Sequence, residues 1–182
     1  MAEKFQNKYR IPSARLQNWD YGSNAMYFVT ICTQNRECYF GDVVDGEMHL
    51  SEIGKIVEEE WLKTFEMRPD MCLQMDEYAV MPNHFHAIIV IGENQYNVQR
   101  KDAMHCVSTN NKFAPQSKNL AAIMRGFKSG VTVNARRIDA DFAWQARFHD
   151  HIIRNDESFQ RIRNYISENP VKWSNDKFYN IG

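Results

Sequence analysis

The sequence predicts an α+β domain: an antiparallel β-sheet with helices on one face. Three observations carry that expectation. Stretches rich in β-branched and aromatic residues fall at 25–33 and 84–91, and residues 72–81 alternate well enough for a strand. Amphipathic helical spacing follows Ser51, Ser117 and Asn155. The order β, hairpin, α, β, β, α, α sets strands beside strands instead of alternating them with helices. With 182 residues and 43% hydrophobic content, the chain is long enough for one domain with a sizeable core.

The elements follow from local chemistry. Residues 1–24 form a polar arm with Lys8, Arg10 and Arg15 and no clear periodicity, ending in a turn at Tyr21-Gly22-Ser23-Asn24. Ala25–Thr33 reads as a largely buried strand. Asp45-Gly46 is a hairpin signal between Val43-Val44 and Met48-His49-Leu50. Ser51 caps a helix whose apolar positions are Ile53, Ile56, Val57, Trp61 and Leu62, ending near Arg68-Pro69. Cys72–Met81 and His84–Ile91 read as strands separated only by Pro82-Asn83, so they are expected to be antiparallel neighbours. Residues 92–116 are polar and irregular and read as a long mobile loop. Ser117 is the expected cap of a helix through Leu120, Ile123, Met124, Phe127 and Val131. A last helix after Asn155 carries Phe159, Ile162, Tyr165 and Ile166 on one stripe and closes at Pro170. The domain is expected over 25–173, with 174–182 a C-terminal tail.

No run of about 18 apolar residues exists and the N-terminus has no hydrophobic signal segment, so no membrane partner is expected and the expected compartment is the cytoplasm. Cys32, Cys38, Cys72 and Cys106 form no CxxC pair and are expected to be thiols. A net charge of -1 hides a division. Residues 112–172 hold 11 Lys+Arg against 6 Asp+Glu, whereas residues 1–111 hold 10 against 16. The second part is the candidate nucleic-acid face.

The most informative stretch is Met81-Pro82-Asn83-His84-Phe85-His86, running into Ala87-Ile88-Ile89-Val90-Ile91. Side chains alternate along a strand, so His84 and His86 share one face while Phe85 points to the other. Two imidazoles side by side are half of a metal site, and a divalent ion needs at least one more donor. The last helix offers Tyr165 and, one turn on, Asn169, an amide placed to complete coordination beside a phenol aimed at the bound group. Asn169 precedes Pro170 and would also suit a simple helix end. His149 and His151 form a second His-x-His and are the rival metal pair.

His84-Phe85-His86, together with Tyr165-Ile166-Ser167-Glu168-Asn169-Pro170-Val171-Lys172, resembles the single-tyrosine transposases of the REP-associated and insertion-sequence (IS200-like) type, in the HUH endonuclease superfamily. Further matches are Tyr27-Phe28-Val29-Thr30, Gly126-Phe127-Lys128-Ser129, and Trp144-Gln145 followed by Phe148-His149-Asp150-His151-Ile152-Ile153-Arg154, so the likeness spans about residues 9–173.

That resemblance implies a ferredoxin-like or RRM-like core and a metal-dependent endonuclease and strand transferase acting on single-stranded DNA near a hairpin. Tyr165 would be the nucleophile, leaving a 5′-phosphotyrosine and a free 3′-hydroxyl. His84, His86 and Asn169 would hold Mg²⁺ or Mn²⁺. Lys128, Arg147 and Arg154 are the expected contacts to DNA phosphates, and Trp144 and Phe148 are candidates for stacking on bases. The resemblance allows either a monomer or a homodimer. A relaxase or replication initiator shares the His-x-His chemistry but carries extra histidine ligands or helicase domains. A non-catalytic sheet that binds nucleic acid would have no use for His84, His86 and Tyr165 together.

Overall fold

The computed structural model describes residues 4–5, 8–9, 16, 19–98 and 117–179. In chain order it contains β1 (Lys4–Phe5), β2 (Lys8–Tyr9), β3 (Ala25–Cys32), β4 (Gly41–Val44), β5 (Glu47–Leu50), α1 (Glu52–Glu66), β6 (Leu73–Met81), β7 (His84–Ile91), α2 (Leu120–Ala135), β8 (His149–Ile153) and α3 (Asp156–Ser167). Among the described residues the main sheet has the order β6-β7-β3-β8, antiparallel throughout. This is the expected α+β class. Most of the N-terminal arm and residues 99–116, Cys106 among them, lie outside the described residues; of the loop expected over 92–116 only 92–98 is described, and there Asn94 and Asn97 are buried and donate to the Met71 and Gly92 carbonyls at 3.1 and 2.9 Å.

Alternation along the two central strands gives the sheet two different faces. Tyr27, Val29 and Ile31 of β3 and Phe85, Ala87 and Ile89 of β7 point one way, into a core completed by Ile53, Val57 and Trp61 of α1 and Ile123, Phe127 and Val131 of α2. Phe85 sits between Trp61 and Phe127, with ring centroids 5.1 and 5.2 Å away. The opposite parity, Phe28, Ile88 and Ile153, meets Ile162, Ile166 and Tyr165 of α3. Helices therefore cover both faces, a correction to the one-face expectation. The physical reason is legible in β7, whose residues are almost all buried on either side, as a strand sandwiched between layers must be.

Local signals behave as their chemistry requires. Asp45 and Gly46 both adopt positive φ (53° and 80°), the turn that joins β4 to β5. Ser51 and Asn155 cap α1 and α3, accepting from the amides of Gly54 and Ser158 at 3.0 and 2.8 Å. The second helix is capped by Asn119 in place of the expected Ser117. Lys118 turns the chain at φ 58° and the Asn119 side chain accepts from Ala122 N at 2.9 Å. Strand β8 was not anticipated. Its polar His149-Asp150-His151 start is largely exposed because β8 is an edge strand pairing only with β3.

Close approach sets where α1 can sit. A Cβ added at Gly54 would lie 2.1 Å from the Phe40 carbonyl oxygen, and one at Gly130 of α2 would lie 2.2 Å from Glu60 Oε2. Glu60 is buried against α2 and accepts from Asn134 Nδ2 at 3.1 Å and Lys63 Nζ at 3.0 Å. Cys32, Cys38 and Cys72 are free thiols. No helix among the described residues is long and apolar enough to cross a membrane.

Candidate active site

His84 and His86 lie on the α3 face of β7, their ring centroids 4.4 Å apart, with 0% and 1% exposure. Each is oriented through Nδ1. The Asn83 side chain donates from Nδ2 to the Arg36 and Phe178 carbonyls at 3.2 and 2.9 Å, which turns its Oδ1 toward His84 Nδ1 at 2.9 Å. An amide oxygen only accepts, so His84 Nδ1 carries the proton and Nε2 presents a lone pair. His86 Nδ1 pairs with Thr30 Oγ1 at 2.8 Å, across the β3–β7 register. Burial pushes the His84 imidazole down to about 4. Burial, and then the charge of His84, lowers His86 well below its ordinary range. Both rings are neutral at pH 7, the state in which an imidazole binds a metal.

Helix α3 delivers the other two predicted groups. The Tyr165 hydroxyl stands 3.2 Å from His86 Nε2. Phe28 stacks on His86 at 5.3 Å and meets the edge of Tyr165 at 6.2 Å, holding phenol and imidazole against one another. Asn169, one turn further and 2% exposed, lies just past the helix end. Its Oδ1 and His84 Nε2 are buried acceptors without a well-formed hydrogen bond.

Two adjacent buried acceptors lacking donors are costly unless a cation or donor meets them. Among the described residues no group of three or more His, Cys, Asp and Glu is arranged to hold a metal, so the donor set depends on the amide oxygen. Two imidazole nitrogens and an amide oxygen fit a small divalent ion.

Sequence reasoning missed what closes the site. In the segment read as a tail, Asp176 Oδ2 accepts from the Tyr165 hydroxyl at 3.2 Å and from Asn169 Nδ2 at 3.0 Å, while its Oδ1 accepts from Phe178 N at 2.7 Å. The Phe178 ring covers His84 at 4.6 Å, and Arg36 Nη1 donates to the Lys177 carbonyl at 2.9 Å. Burial, then the Asp176 carboxylate, pushes the Tyr165 phenol up to about 12. Nothing periodic marks this stretch; the available signal is its three aromatics after Pro170, Trp173, Phe178 and Tyr179.

The predicted basic residues do not converge on the histidines. Lys128 is half-buried, donating to the Gln145 carbonyl at 2.6 Å near the β3 end, and burial lowers its ammonium. Arg154 lies at the other end of β8, its guanidinium 5.9 Å from the Trp19 ring. Arg147 is exposed in the segment leading into β8. His149 and His151 are exposed on that edge strand, with His149 opposite Thr30 and so two strands from His86. Trp144 is a core residue, packed with Phe40 and Phe142.

A four-stranded antiparallel sheet with a His-x-His on a central strand and a helix-borne tyrosine against it defines the class to which known proteins can be compared. An uncharacterized protein of Haemophilus influenzae is 36% identical over 168 residues, 92% of each chain, and the present chain belongs to one family with it. A second protein of that bacterium, provisionally named a REP-associated tyrosine transposase, is 25% identical over 153 residues, 84% of this chain and 74% of its own. The fold is shared with a solved REP-associated tyrosine transposase bound to a REP hairpin, at a TM-score of 0.59 and 19% identity over 91% of this chain and 77% of that one. The resemblance read from the motifs thus extends through sequence and fold. No family model matches the chain.

Proposed function

We propose that the protein is a transposase of the REP-associated tyrosine type, cutting and rejoining single-stranded DNA beside a hairpin through Tyr165. The observation that carries this reading is the Tyr165 hydroxyl 3.2 Å from His86 Nε2, next to the unpaired acceptors of His84 and Asn169. Those three residues would hold Mg²⁺ or Mn²⁺. When bound, such an ion offsets the charge developing on the oxygens of the scissile phosphate.

The chain's own groups handle the proton and the bond. Tyr165 Oη forms a bond to phosphorus as the bond from phosphorus to the 3′-oxygen breaks. The phenolic proton passes to Asp176, which already accepts it in a hydrogen bond. The 3′-oxygen leaves and is protonated from solvent. The product is a 5′-phosphotyrosine whose ester energy lets a 3′-hydroxyl reverse the step without ATP. Asp176 has two effects on the phenol: its charge disfavours a free phenolate, and its oxygen takes the proton once the bond to phosphorus forms. A hairpin partner is extended to this chain from the similar fold bound to one, and Lys128, Arg147 and Arg154 are the proposed phosphate contacts.

Incubation with labelled hairpins carrying unpaired flanks is expected to give a denaturant-resistant adduct only when Mg²⁺ or Mn²⁺ is added. Tyr165→Phe should abolish it. An undiminished adduct in that variant overturns the nucleophile.

A further inference from the structure

Beyond the end of β3 the surface opens into a groove of about 610 Å³ that adjoins a second of about 440 Å³, the two sharing Gln34, Trp144, Gln145 and Ala146. No carboxylate lines either one, whereas Lys128 and Arg136 line the second. The side-chain amides of Gln34, Asn35 and Gln145 are exposed and make no hydrogen bond to the described residues. Trp144 is 9% exposed, its indole N–H also lacks a partner, and Lys128 Nζ lies 6.0 Å from its ring centroid.

The groove is wired to the histidines. Thr33 bridges to Trp144, Gln145 N donates to the Cys32 carbonyl at 2.9 Å, and Cys32 is the register partner of His84. On the other wall, the Arg36 carbonyl accepts from the Asn83 side chain that orients His84. Asn35 and Arg36 take consecutive positive φ values (54° and 61°) there, a conformation that L residues adopt at a cost and that turns the Gln34-Asn35 pair around the rim.

We infer that this groove seats an unpaired nucleotide flanking the scissile phosphate, with Lys128 on the DNA backbone and the Gln34, Asn35 and Gln145 amides on the edge of the base. The inference rests on the single-strand reading given under the proposed function. A polyanion suits cations without opposing carboxylates, and an amide, carrying donor and acceptor together, is the side chain that pairs with a base edge. The groove would therefore decide which base is accepted next to the cleavage site.

The test uses the full chain and labelled hairpin oligonucleotides whose unpaired flank carries dA, dC, dG or dT beside the cleavage site, with binding read by fluorescence anisotropy and the adduct by denaturing gel. The wild type should rank the four bases. Gln34→Ala/Gln145→Ala should bind the preferred oligonucleotide about tenfold more weakly and lose the ranking, with the melting temperature unchanged. Lys128→Met should weaken all four alike and reduce the slope of log Kd against log salt by about one, while Lys128→Arg restores it. If the wild type forms the adduct but the double variant keeps wild-type affinities and ranking, the groove assignment falls and the function stands. If the wild type binds no oligonucleotide and forms no adduct, both fall.

Discussion

Asp176 accepts a hydrogen bond from the Tyr165 hydroxyl at 3.2 Å, although the two lie on different elements, one on α3 and the other beyond the short turn Trp173–Asn175. In the proposed reaction, a carboxylate in that position would take the phenolic proton as the oxygen bonds to phosphorus. Asp176→Asn keeps a polar group of the same shape and removes the proton acceptor, so adduct formation should slow by about 10²- to 10⁴-fold. Single-turnover kinetics check this, and a rate within a factor of a few of wild type refutes it. Combining Asp176→Asn with Tyr165→Phe should cost no more than Tyr165→Phe alone, because both act on one step.

Phe178 lies against the imidazole of His84 at 4.6 Å and that of His86 at 5.9 Å. Phe178→Ala should expose both rings, and their modification by an acylating imidazole reagent should accelerate by about an order of magnitude, in keeping with a local opening that no longer needs the aromatic cover lifted. Peptide mapping of His84 and His86 gives the readout. Unchanged protection would mean that the cover comes from Trp173 instead.

Two glycines separate a rigid clash from a yielding one. Gly54→Ala drives its Cβ to 2.1 Å from the Phe40 carbonyl, a backbone atom, while Gly130→Ala meets only the far end of the Glu60 side chain at 2.2 Å. Alanine favours a helix over glycine by about 1 kcal/mol, but a backbone clash in a packed helix interface outweighs that. Gly54→Ala should lose about 3 kcal/mol or more in denaturant unfolding. Gly130→Ala should lose less, and Glu60→Ala should relieve part of its loss.

Burial pushes the Tyr27 phenol up to about 12 from an ordinary value of 10, with Trp19 Nε1 donating to its oxygen at 3.2 Å. The folded state holds this proton more tightly than the unfolded chain. The corresponding stability is therefore fully present below pH 10 and is lost as pH rises from 10 through 12. Tyr27→Phe should flatten that alkaline decline in melts recorded across the window. An identical decline in the variant would assign it to other groups.

The fold was largely legible because its signals are local. Ser51 and Asn155 announce their helices, Asp45-Gly46 its turn, and Pro82-Asn83 the tight β6–β7 hairpin. Strand β8 escaped because an edge strand needs only one pairing partner and His149-Asp150-His151 lacks an apolar alternation. Alternation on a strand pairs His84 with His86 and one-turn spacing on a helix pairs Tyr165 with Asn169, whereas the meeting of the two pairs is implied by the family resemblance. Thr30, Asp176 and Phe178 could not be anticipated, since they meet the histidines through strand pairing and through a nonrepeating segment whose path no period encodes.

The opposed faces of β7 also make that strand a natural experimental ruler. A residue-by-residue substitution scan from His84 to Ile89 should toggle between two kinds of damage with a period of two: Phe85, Ala87 and Ile89 register as lost expression and melting temperature, whereas His84 and His86 register as a well-behaved protein that has stopped working. Ile88, which shares the histidines' face but packs under α3, marks the depth at which that face passes from chemistry to anchoring.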